Sequence, residues 1–215
     1  MGGIGGQIPN FPGPVKIGTA PNQLTVSEGG IITMAGTSKR ILTLRPEIDY
    51  VIQIAQAKPT QVLVGVFAGF SFPIYNTDNE ELFFKQTIPG RWDGASDITY
   101  HMKVALANAE DVGDKFKFQL SWEHAFTDTE IPATSNDVTT EVTILTDRNA
   151  QYDEYDVAFT IDYDIDGAGS EIEKHCLIAG RLRRIAASGN EVDNEIIVFD
   201  HHIHYNIDKA GAAPL

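Results

Sequence analysis

Cys176 is the only cysteine in the sequence, so no intramolecular disulfide can form and a zinc site built from several thiolates is excluded. Folding in a reducing cytoplasm is the simplest reading of such a chain. Long apolar runs are missing as well. The opening MGGIGGQIPN carries neither a basic cluster nor a hydrophobic stretch, and Gly6 stands where a myristoylation signal requires Ser or Thr. No signal peptide, membrane helix or membrane partner is therefore expected. Positive charge is scarce: 16 Lys and Arg face 30 Asp and Glu, for a formal charge of −14. The summed field repels phosphate backbones, so nucleic acid is not an expected partner. No G-x-S-x-G elbow, P-loop or dinucleotide fingerprint is present, and the chain reads as a non-enzyme.

What is present is a composition suited to one folded core. Hydrophobic residues make up 42% and charged residues 21% of 215 positions, far from the charge-rich balance of disordered chains. Residues 1–22 are dense in Gly and Pro and read as a flexible N-terminal arm, because such a segment has few side chains to offset its ordering entropy. Ile4, Ile8, Phe11, Val15 and Ile17 are spaced along it as anchors for a neighbouring subunit. Residues 23–215 read as a single β-sandwich domain. Pro46-Glu47 opens a stretch in which Ile48, Val51, Ile52 and Ala55 fall at helical spacing, while Ile48, Tyr50, Ile52 and Ile54 alternate as in a strand. One short helix, ending before Pro59, is the expectation there.

From residue 61 onward the period is two. Ile98, Tyr100, Met102, Val104 and Leu106 alternate with polar neighbours, as do Phe116, Phe118, Leu120 and Trp122, then Val138 to Ile144, then Tyr155 to Tyr163. Runs from Ile172 to Ile185 and from Ile196 to Asp208 follow. About eight strands joined by Gly, Asn and Asp turns predict an all-β antiparallel jelly roll or β-sandwich.

Three constellations could carry function. Asp162, Asp164, Asp166, Gly167 and Glu173 match the calcium-loop pattern D-x-D-x-D-G-x5-E, whose carboxylates converge when the loop curls around the ion. A strand, not a helix, leads into this segment, and Gly169 replaces the usual apolar residue, so the competing reading is a solvated hairpin turn. Calcium is the one cofactor the pattern suggests; otherwise none is expected. Near the C-terminus, strand alternation puts Phe199, His201, Ile203, Tyr205 and Ile207 on one face, with His202 and His204 on the other. The H-x-H resembles the first metal motif of cupins, which are jelly-roll enzymes. A third ligand would have to come from His101, His124 or His175. Finally, Trp92, Trp122, Phe70, Phe72, Tyr75 and Tyr100 could line a sugar-binding face. Alternation assigns Trp122 to the core, and Trp92, in the loop Pro89-Gly90-Arg91-Trp92-Asp93-Gly94, is the expected partner contact.

Two segments, Arg91-Trp92-Asp93-Gly94-Ala95-Ser96-Asp97-Ile98 and Phe199-Asp200-His201-His202-Ile203-His204-Tyr205-Asn206-Ile207-Asp208-Lys209-Ala210-Gly211, resemble jelly-roll structural proteins of tailed bacteriophage virions. With the strands between them, the resemblance spans roughly residues 60–211. It implies a non-enzymatic virion component, homo-oligomeric and assembled in the host cytoplasm. The expected role is a capsid decoration or cement protein bound to the major capsid protein through arm and loops. The alternatives are a receptor- or glycan-binding module of a tail or fibre and, third, a cupin-like metalloenzyme using His202 and His204.

Overall fold

The computed structural model describes residues 13–20, 22–28, 31–35, 40–49, 58–74, 80–126, 128–165, 171–207 and 209–210. Every regular element among them is a β-strand. One sheet follows the order β12 (Glu154–Ile161), β9 (Ile98–Leu106), β14 (Ile196–Ile207), β7 (Phe67–Phe72), β6 (Thr60–Val64), and β4 (Arg40–Leu44) also pairs with β14. The second follows β11 (Asn136–Thr143), β10 (Lys115–Ala125), β13 (Leu177–Ile185), β8 (Glu81–Thr87), β5 (Glu47–Asp49). A small third sheet joins β1 (Val15–Thr19), β2 (Asn22–Val26), β3 (Ile32–Met34) and β15 (Lys209–Ala210).

From β7 to β14 the chain crosses between the two large sheets at every connection except the β10–β11 hairpin. The resulting orders, β7-β14-β9-β12 and β8-β13-β10-β11, are those of a jelly roll, the fold class expected from the sequence. The strands of these two sheets pair antiparallel, which lets each sheet bury one face and present the other to water. Strand β12 alternates strictly, with Tyr155, Val157, Phe159 and Ile161 inward and their neighbours outward. In β10 the inward set is Phe116, Phe118, Leu120 and Trp122. Each of these large side chains contributes about 1.5–3 kcal/mol by leaving water.

Two expectations change. The stretch read as the start of a helix forms β5, whose Ile48 lies opposite Phe84 on β8 and packs against the core. Sheet pairing thus decides a segment whose periodicity was ambiguous, and residues 50–57 lie outside the described region. Within the arm, Val15–Thr19 pairs with Asn22–Val26 as a hairpin, while Ile4, Ile8 and Phe11 lie outside the described residues.

Strand β14 carries one irregularity that decides the layout of the outer face. Val198 pairs with Val104 and Asp200 with Lys103, leaving Phe199 as an inserted residue. The β-bulge turns both Phe199 and Asp200 outward. Phe199 is therefore not on the face of His201 and Ile203, as simple alternation requires, but on the opposite one, edge-on to Phe67 at 6.3 Å.

Candidate functional site on the outer sheet face

The outward residues of β9, β12 and β14 form two adjoining features. The first is a histidine triad. His101 on β9 is the direct cross-strand partner of His202 on β14, and His204 follows two residues on, so all three project from the same face. The His101 and His202 rings stack with centroids 5.4 Å apart, and His204 sits 4.3 Å from His101 and 4.7 Å from His202. One ring nitrogen from each lies within 4.8 Å of the others. Two carboxylates back the rings: Asp200 Oδ2 is 2.9 Å from His202 Nδ1, and Asp156 Oδ2 is 3.4 Å from His101 Nδ1. Burial, and then the neighbouring His101 and His202, push the His204 pKa down. That favours the neutral, lone-pair-bearing imidazole at pH 7. His202 and His204 were expected to share a face, and His101 supplies the third nitrogen that the H-x-H alone could not.

The second feature is a cleft of about 590 Å³ beside the triad. Phe67, Phe199 and Tyr152 line it together with the charged side chains of Arg45, Lys103, Glu154 and Asp200. Lys103 Nζ donates to Glu154 Oε1 at 2.8 Å, and Arg45 pairs with Asp200 at 3.5 Å. Asp200 thus touches both features. Phe67 is 66% exposed because the β6–β7 hairpin turns at Gly65 and Val66, with Gly65 at φ 60. Tyr152 has φ 69, a left-handed conformation that costs a bulky residue free energy. It is held there by its own amide bond to Leu106 O at 2.8 Å and by Leu106 N donating to Asp153 O at 3.2 Å. The strained backbone directs a half-exposed aromatic ring toward the cleft.

The aromatics singled out from the sequence mostly belong elsewhere. Trp92 is fully buried, bridged to Ile207 and edge-on to Tyr163 at 6.3 Å, so it is a core residue and not a loop contact. Its loop folds back because the Asp93 amide donates to Asn206 O at 3.0 Å. Phe72, Tyr100 and Trp122 are likewise buried, Phe70 packs against the core, and Tyr75 lies outside the described residues. The aromatics that do line the outer cleft are Phe67, Tyr152 and Phe199. The turn Gly65-Val66 was the available signal for Phe67, since a glycine opening a two-residue loop fixes the hairpin register.

Of the calcium candidates, Asp162 and Asp164 follow β12 in a turn, with the Asp164 amide donating to Asp162 Oδ1 at 3.3 Å. Glu173 stands beyond the gap, its carbonyl accepting the Cys176 amide at 3.3 Å, and Asp166 lies outside the described residues. Ile17 is exposed on β1 and Val15 is half-buried. Cys176 is buried, which pushes its thiol up and away from thiolate reactivity.

No protein-family profile and no curated protein matches the sequence. Among solved structures, the family 11 carbohydrate-binding module from Clostridium thermocellum, in complex with a beta-1,3-1,4-mixed-linked tetrasaccharide, is similar at a TM-score of 0.37 and 6% identity, covering 77% of this chain and 87% of that one. Dimeric latent PorU from Porphyromonas gingivalis is similar at a TM-score of 0.35 and 7% identity, covering 79% of this chain and 13% of that one.

Proposed function

We propose that this chain is a non-catalytic binding module that takes a carbohydrate into the cleft on the outer sheet face. The carrying observation is that Phe67 and Tyr152, both exposed aromatics, border a space containing the Lys103–Glu154 and Arg45–Asp200 pairs. A pyranose presents an apolar C–H face and a rim of hydroxyls. Aromatic walls match the first, and fixed donors and acceptors match the second. A strained Tyr152 that the surrounding backbone holds in place supports a recognition role.

Glycan-array retention followed by calorimetry on the best oligosaccharide tests this reading. Phe67→Ala and Tyr152→Ala should each weaken binding at least tenfold while leaving the circular dichroism spectrum intact. Retention of no glycan by the wild type, or wild-type affinity in both variants, would reject it.

A second reading, a virion structural protein attached to a capsid or tail, is favoured by the exposed apolar β6–β7 hairpin. Leu63 is 70% and Val66 is 90% exposed there, beside Phe67. Exposed aliphatic side chains at an edge hairpin suit a contact with another subunit. Light scattering decides between a homo-oligomer that Val66→Asp dissolves, which supports assembly, and a monomer indifferent to the change.

A further inference from the structure

We propose that His101, His202 and His204 form a binding site for a divalent transition ion of the zinc class on the outer sheet face. The inference goes beyond the carbohydrate reading and does not depend on it. Three imidazoles on two adjacent strands are a complete protein ligand set for an ion that keeps one open position. The strand geometry makes this set possible. Two ligands two residues apart share a face, and their cross-strand neighbour lies beside them on the same face.

The surroundings are those of a ligand set and not only of a ring stack. Asp200 and Asp156 each lie against the Nδ1 of one histidine. With Nδ1–H turned to the carboxylate, Nε2 remains as the lone-pair nitrogen, and the carboxylate raises its basicity and fixes the ring. Imidazole donors without a thiolate select Zn²⁺, Ni²⁺, Co²⁺ or Cu²⁺ over Ca²⁺ and Mg²⁺, which prefer oxygen. Zinc–nitrogen bonds of about 2.0–2.1 Å require the nitrogens to draw closer than their present separation. Binding therefore requires the three imidazoles to turn about their side-chain torsions to close that gap. The ion would neutralise part of the −14 charge of the chain beside the Asp156 and Asp200 carboxylates.

The test uses the full chain without a purification tag, stripped with chelator and titrated calorimetrically with zinc chloride. Binding of one Zn²⁺ per chain at micromolar affinity or tighter is expected. His101→Ala and His202→Ala should each weaken it at least a hundredfold. Asp200→Asn should weaken it roughly tenfold, the size of effect typical of carboxylates behind metal-bound histidines. Cobalt substitution should give visible d–d bands that the His202→Ala variant lacks. Calorimetry that detects no zinc uptake would overturn the proposal. So would uptake that persists in the folded His101→Ala/His202→Ala double variant, because the ion would then be held elsewhere, for example at His124 or His175.

Discussion

The ring of Phe84 fills the space that a side chain at Gly180 would occupy: a Cβ there would lie 2.3 Å from the ring edge. The two residues are direct cross-strand partners on β8 and β13. Phe84 in turn stacks on Tyr100 of the opposite sheet at 4.6 Å and 11°. Gly180 is thus the vacancy that lets one ring reach across the sandwich.

Gly180→Ala forces that ring out of its stack and should cost about 1–3 kcal/mol, the usual size of an overpacked core. Urea denaturation reads the change, and adding Phe84→Leu to the alanine variant should recover part of the midpoint. A single variant as stable as the wild type would show that the ring has somewhere else to go.

Arg184 is a cation inside the sandwich, with its side chain only 2% exposed. It donates to Glu191 Oε1 at 2.6 Å, to Asn194 O at 2.9 Å and to Pro73 O at 3.2 Å, tying the end of β13 to the loop before β14 and to the segment after β7. Arg184→Ala strands these acceptors and should cost roughly 3–5 kcal/mol, as removal of one partner of a buried pair does. Chemical denaturation measures it; a loss under 1 kcal/mol would mean that water replaces the guanidinium freely.

If the strained Tyr152 contacts a glycan as proposed, stability and binding should move in opposite directions when it is replaced. Glycine adopts φ 69 without penalty, and Tyr152→Gly should hold or raise the melting temperature while glycan affinity falls at least tenfold. If affinity and stability fall together, the tyrosine is structural.

Glu141 accepts hydrogen bonds from the Ser188 hydroxyl, from Lys115 and from the Ser188 amide, and these hold its pKa down at about 2. A folded-state pKa below the unfolded value of 4.5 means a stabilising contribution that is present above pH 4.5 and lost as pH falls toward 2. The melting-temperature gap between wild type and Glu141→Gln should therefore be constant near neutrality and shrink across that acid window. A gap independent of pH would remove the ionised carboxylate as its cause.

The strands of the core were legible because burial ties side-chain chemistry to the pleat. Phe116, Phe118 and Leu120 cannot face water without large cost, so their spacing alone places β10. Parity carries no such information across an inserted residue, and Phe199 was assigned to the wrong face for that reason. His101 could not be singled out from His124 and His175 as the partner of His202, because strand pairing across a jelly roll joins residues about a hundred positions apart and no local pattern encodes it. Trp92 looked like a surface contact because a Pro- and Gly-rich loop normally stays outside. Here a backbone bond to Asn206 and a bridge to Ile207 draw it in.

The inserted residue of β14 also has a hereditary consequence. Because Val104 and Lys103 are adjacent on β9 and already face Val198 and Asp200, loss of the single codon for Phe199 would leave the remaining residues of the strand in register and on their present faces. Elsewhere along a regular strand, loss of one codon reverses every side chain beyond it. The aromatic that walls the cleft is therefore a feature that a lineage could gain or shed in one step, with the fold and the histidine triad kept.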